Sequence, residues 1–235
     1  METGGGMNIQ MWLSRGEELC RERELQCKVW DELEWEPMLD PTGLTVDVTG
    51  FAATLRGTVK SYPEKLAAER AAKRVPGIQT LSSDITVTLP PASERTDPQL
   101  TEEVQRALEW DILVPHDKIT PRIAAGWVTL EGTVDGDFQR SAAAEAVFVL
   151  MGVKGVSNLV MVKPPSRPAN VKSRVEAALR RRADLHGDRI KVEARDGAVV
   201  LHGHVRSLAE REEAEQAVRA VPGVILVEDD LQIGR

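Results

Sequence analysis

Gly126-Trp127-Val128-Thr129-Leu130-Glu131-Gly132-Thr133-Val134 opens a stretch that passes through an alanine-rich segment to Gly152-Val153-Lys154-Gly155-Val156-Ser157-Asn158-Leu159-Val160-Met161-Val162. Val128, Leu130 and Val134 recur at even spacing, which predicts a strand with one buried face. The alanines predict a helix that lies close to its support, and the glycines that follow predict a tight turn into another strand. Versions of the same pattern occur before and after. Gly57, Gly132 and Gly203 sit in Leu55-Arg56-Gly57-Thr58-Val59, Leu130-Glu131-Gly132-Thr133-Val134 and Leu201-His202-Gly203-His204-Val205. Gly77, Gly152 and Gly223 each follow 20 residues later. The period is about 70 to 75 residues, so one unit is written three times.

Working outward, each unit begins with an amphipathic helix. Leu25, Val29 and Leu33 correspond to Leu100, Val104 and Leu108, and to Val171, Val175 and Leu179. This i, i+4, i+8 spacing forms one apolar stripe. Asp97 before Pro98 reads as an N-cap followed by proline at the first helical position, and Asn170 reads as the third unit's cap. A first strand follows at Leu44, Val46 and Val48, at Ile119, Pro121 and Ile123, and at Ile190, Val192 and Ala194. Pro121 lacks an N–H and belongs at a sheet edge. Ala125-Gly126 and Asp196-Gly197 predict antiparallel hairpins. The first copy reads as one residue longer between Gly50 and Gly57. Ser61 with Glu64 and Ser207 with Glu210 form capping boxes for the second helix. Ala68, Ala71 and Ala72, then Ala143, Ala146 and Val147, then Ala214, Ala217 and Val218 line that helix. The glycine at 57, 132 and 203 falls on the inner face, to admit the next helix or to form a bulge. Pro76-Gly77 and Pro222-Gly223 stop the second helix before a third strand. The order αββαβ therefore recurs three times, and the fold class is α+β.

The helix, the Gly-Trp-Val-Thr-Leu-Glu-Gly-Thr-Val strand, the alanine helix and the Gly-Val-Lys-Gly-Val-Ser-Asn-Leu close together resemble the BON domain family, from about Glu22 to Arg235. The resemblance implies three tandem αββαβ two-layer sandwich modules, each with two helices on one face of a three-stranded mixed sheet, and a non-enzymatic, stress-related role. It also implies attachment to phospholipid membranes or other envelope components, in a family whose members are bacterial and often periplasmic. The expected organisation is an extension at 1–21 with a short helix, then modules at 22–89, 97–163 and 168–235. Met1–Gly6 reads as a tag remnant or an early start ahead of Met7. Pro90-Pro91-Ala92-Ser93 and Pro164-Pro165-Ser166-Arg167-Pro168 read as semi-rigid linkers. Modules of this size are marginal alone, so they are expected to pack on one another, with Met11, Trp12 and Leu13 covering one end.

Composition narrows the function. A net charge of −7 argues against a general nucleic-acid binder. No apolar run approaches the roughly 18 residues needed to cross a bilayer. Ile9–Leu13 is too short for a secretory core and lacks a basic flank, which makes the cytoplasm the expected compartment. Cys20 and Cys27, two helical turns apart, lie beyond disulfide reach.

Candidate sites are few. His202 and His204 share the outer face of a strand, but their counterparts are Arg56 and Thr58, and Glu131 and Thr133, which describes a solvated surface. His116 and His186 have no third ligand at fixed spacing, so no metal or cofactor is expected. No nucleophile has a base at diagnostic spacing, and no catalytic residue is assigned. Arg180, Arg181 and Arg182 end the third module's first helix, with Lys172 and Arg174 upstream. That helix is basic enough for an anionic lipid headgroup or an acidic partner, and the same cations complement the helix dipole. Trp35 and Trp110 hold equivalent places in Leu-Glu-Trp and either pack under the next loop or anchor a partner. The expectation is a scaffold or adaptor with a protein partner, the alternative being an anionic lipid surface. Gly57, Gly132, Gly203, Gly77, Gly152 and Gly223 are structural.

Overall fold

In the computed structural model, residues 9–163, 171–181, 190–195, 197–224 and 226–234 are described, with backbone alone for 9–16. Six helices and nine strands appear among them. The first unit contains α1 (Ile9–Glu34), β1 (Leu44–Thr49), β2 (Ala52–Val59), α2 (Tyr62–Arg74) and β3 (Thr80–Val87). The second contains α3 (Asp97–Trp110), β4 (Ile119–Ala124), β5 (Trp127–Val134), α4 (Asp137–Phe148) and β6 (Gly155–Val162). The third contains α5 (Val171–Arg181), β7 (Ile190–Arg195), β8 (Ala198–Val205), α6 (Leu208–Arg219) and β9 (Leu226–Ile233). Each sheet keeps to its own unit, in the orders β1-β2-β3, β4-β5-β6 and β7-β8-β9. The first pair in each is antiparallel and the second parallel, which is the mixed sheet that the resemblance implies.

Three separate cores follow. Each is built from the helical stripe, the inward strand positions and the alanine helix, so Val29, Ala71, Val104, Leu130, Leu201 and Ala214 are fully buried. Alanine lets the second helix sit low on the sheet and keeps each core thin. Pro121 lies on edge strand β4, as its missing donor requires.

Four local expectations change. The first unit has no extra residue, because β1, β2 and their two-residue turn match β4, β5 and theirs in length. Only the turn chemistry differs. Gly50 alone has positive φ (+59°) in the first hairpin, whereas Ala125 (+51°) and Gly126 (+81°) both do in the second. Gly57 and Gly132 neither admit a helix nor form a bulge, since the strand register runs through them without a break. What presses on them is backbone: an added Cβ would lie 2.1 Å from the carbonyl oxygen of Gly43 or of Lys118. Thr96, not Asp97, caps α3, in a reciprocal box with Gln99. Asp97 instead accepts the N–H groups of Ala125 (2.9 Å) and Gly126 (3.0 Å), tying the helix to the hairpin. Finally, residues 9–21 do not form a separate short helix, because α1 runs unbroken from Ile9 to Glu34. The cap expected of Asn170, the second proline linker and Asp196 lie outside the described residues.

The units meet through α2. Tyr62 packs against the cores of both the first and the second units. Burial pushes its phenol above the ordinary value, partly offset by a hydrogen bond from the Val156 backbone. Arg70 stacks over Phe148 at 5.9 Å. On the other side, Lys73 pairs with Glu212 at 2.6 Å and Leu208 packs against the first core.

Candidate interaction surfaces

The expected basic site does not form one patch. Arg180 and Arg181 end α5 and are exposed, as is Lys172. Lys172 and Arg180 line an open groove of about 500 Å³ between α5 and edge strand β7, together with Glu176 and Glu193. Arg180 pairs with Glu176 at 3.6 Å, so part of the groove's charge is already balanced. Arg174 lies on the opposite side of the helix, where Nη1 donates to the Pro222 carbonyl at 3.3 Å. Arg182 and His186 lie outside the described residues.

The tryptophans do not pack under their loops. Trp35 is 84% exposed and Trp110 88% exposed, and Ile112 beside the latter is 97% exposed. Trp35 borders a groove with Lys28, Asp31, Glu32, Val75 and Pro76. The Trp110 turn is firmly held despite its exposure. Leu108 and Val114 are buried on either side of it, and the Asp111 carboxylate accepts the Leu113 N–H at 2.8 Å. Trp127 covers Gly155, and its indole donates to Ser157 Oγ at 2.8 Å.

A further surface escaped the sequence reading. On the open face of the second sheet, Leu159 and Met161 are exposed, whereas their repeat equivalents are Asp84 and Thr86, and Asp230 and Gln232. Asp84 pairs with Arg56 and Asp230 with His202, but nothing ionic can form at Leu159. The signal was present as the unbroken apolar run Leu159–Val162, which reads by itself as a doubly buried strand. Ile112 and Leu113 also went unnoticed, because loop apolar residues carry no periodicity.

The outer edge of each third strand is screened in a similar way. Val160 N–H bonds its neighbour Asn158, whose amide donates to the Arg140 carbonyl. Leu231 N–H bonds Asp229, which pairs with Arg211. In the first unit Lys65 Nζ donates to the Ile85 carbonyl instead. These contacts disfavour strand addition. His202 Nδ1 lies 3.1 Å from an Asp230 carboxylate oxygen. Among the described residues, no three His, Cys, Asp or Glu side chains converge as a metal site, and no helix is long and apolar enough to cross a membrane.

A family model for the BON domain matches residues 22–88, 96–164 and 169–235. The chain belongs to the BON domain family. Osmotically-inducible protein Y of Escherichia coli (strain K12) is 31% identical over 147 aligned residues, covering 58% of this chain and 72% of that protein. Among solved structures, CdsD, a structural protein of the type III secretion system of Chlamydia trachomatis, is 12% identical with a TM-score of 0.24, covering 88% of this chain and 91% of that one. A structure of the CdsD C-terminal domain gives the same score and identity over 96% of its length. At that score neither pairing bears on the fold. Within the BON frame, Gly77, Gly152 and Gly223 occupy the turn after the second helix with φ of +99°, +94° and +113°, and Gly203 matches Gly57 and Gly132 with φ of +138°.

Proposed function

We propose that this BON protein is a non-catalytic, stress-related binding protein that works as a scaffold or adaptor. One observation carries the reading: at equivalent positions the three modules preserve their cores and diverge on their surfaces. Asp84, Leu159 and Asp230 show the divergence on the sheets, and Trp35, Trp110 and Arg181 show it at the ends of the first helices. Inter-module contacts use α2, α6 and α4 and leave those diverged surfaces exposed. A frame that displays different chemistry at fixed spacing suits multivalent assembly. The osmotic inducibility named for the Escherichia coli relative supports the link to stress.

A second reading is attachment to anionic lipid, favoured by exposed Lys172, Arg180 and Arg181 on one helix. Co-sedimentation with vesicles of anionic or neutral phospholipid, at low and high salt, separates the two. The scaffold reading expects equal, weak sedimentation with both lipids. Binding to anionic vesicles alone, lost in high salt and on Arg180→Glu with Arg181→Glu, would replace it with the lipid reading.

A further inference from the structure

The ends of the first helices differ in a complementary way. At a constant offset of 71 residues, Glu109-Trp110 of the middle module correspond to Arg180-Arg181 of the third. The middle tip presents Trp110, Ile112 and Leu113 to solvent, with exposures of 88%, 97% and 52%. Three bulky apolar side chains within four residues are more than the scattered exposure of an ordinary surface. Glu109 and Asp111 flank them, and the buried Leu108 and Val114 hold the turn in shape before any partner arrives. The third module ends α5 with exposed arginines, and among the described residues the polar contacts of Arg180 are with Glu176 of its own helix. Guanidinium groups stack on indole and pair with carboxylates. Both halves of such a contact are therefore carried by one chain. Among the described residues no ion pair or cation–π contact joins them, and both ends are exposed.

We propose that the Trp110–Leu113 tip is a docking site for the arginine-ended α5 of a second copy of this chain. The proposal deepens the scaffold reading and rests on it. The contact is heterologous: each copy offers one tip and one arginine end, so association continues into chains or closes into a ring. Charge steers the approach, and the apolar side chains of the tip supply buried area.

The test is sedimentation velocity on the full chain, alone in solution, over a wide concentration range at low and high salt. The expected result is a mass that rises with concentration at low salt and less so at high salt. Trp110→Ala with Ile112→Ser, and separately Arg180→Glu with Arg181→Glu, each weaken association by about tenfold or more, with circular dichroism unchanged. Mixing these two variants is the decisive arm. One retains its arginines and the other its tip, so the mixture forms a heterodimer and nothing larger. A monomer at every concentration, association indifferent to both variants, or a mixture that stays monomeric would overturn the proposal. Failure here would leave foreign partners for the scaffold, whereas salt-sensitive, arginine-dependent binding to anionic vesicles would remove the scaffold reading itself.

Discussion

The middle and third modules are the same frame with opposite surfaces. Leu130 and Leu201 sit fully buried at equivalent points on their central strands. Yet Leu159 and Met161 face solvent where Asp230 and Gln232 do, and Trp110 stands where Arg181 does. By sequence the third module is electrically neutral, while the middle one carries about −4. Packing constrains the inner positions of every copy alike, because each core must be filled to the same density. Outer positions face only water or a partner and are free to diverge. The contrast therefore separates the positions that packing fixes from those that the proposed binding role could use.

The comparison breaks most readily in the cores. Leu130→Ala and Leu201→Ala should each cost about 2–5 kcal/mol, and each should loosen its own module first. Amide hydrogen exchange checks this. Protection lost throughout the chain from one substitution would show a single cooperative unit in place of three linked frames. Gly132→Ala should come next, at about 1–3 kcal/mol, because its Cβ would press on the Lys118 carbonyl. Gly50→Ala meets no atom within 4 Å and should cost only about 1 kcal/mol, for its left-handed φ. Urea midpoints of the two variants would rank them.

Much of this frame was legible in the chain. Helix stripes such as Leu100, Val104 and Leu108 have a period that only one face of a helix satisfies, and strand alternation at Val128 and Leu130 does the same for a sheet. What stayed hidden depends on contacts between distant residues. Asp97 looks like a cap because aspartate before proline so often is one, and only the fold brings the Ala125–Gly126 turn within its reach. The role of Gly132 depends on where the Lys118 carbonyl falls, which no local pattern records. Exposure of Trp110 was likewise unreadable, since the same aromatic serves equally well under a loop or on top of one. The five cations Lys172, Arg174, Arg180, Arg181 and Arg182 look like a cluster in sequence, yet helical geometry sets Arg174 apart from Lys172.

Smaller effects sharpen the contrast. Asp97→Ala should cost about 1–2 kcal/mol, because the Gly126 N–H it satisfies is buried. Glu22→Ala, which frees the exposed Gly50 N–H in the first module, should cost less. Thermal unfolding of the pair tests that order. Converting the open face of the middle module with Leu159→Asp and Met161→Gln should change stability by no more than about 0.5 kcal/mol. A larger loss would mean that the two side chains support the fold and are not kept for contact.

The smallest expected effect concerns a cross-link whose polarity reverses between modules. Lys60, after β2, pairs with Asp40 in the preceding loop at 2.7 Å. At the equivalent place after β5 stands Asp135, paired with Lys118 from its loop at 2.8 Å. Hydrogen bonds from Lys60 and Thr42, with the attraction of Lys60, hold the Asp40 carboxyl at about 2, below its ordinary 3.8, and a hydrogen bond and attraction from Lys118 lower Asp135. A carboxyl lowered in the folded state contributes stability that is complete above its ordinary value and is lost as pH falls through the folded one. The window for Asp40 is therefore pH 4 down to 2. Asp40→Asn should flatten the acid decline there and leave the slope near neutrality unchanged, and Asp135→Asn should flatten the decline below the ordinary carboxylate range. Both pairs are exposed, so the change is modest and fades with salt. Urea midpoints collected across that window make the test. Equal flattening from the two variants would mean that the frame requires the bridge and is indifferent to which end carries the charge. An effect from only one would mean that the modules use this position differently.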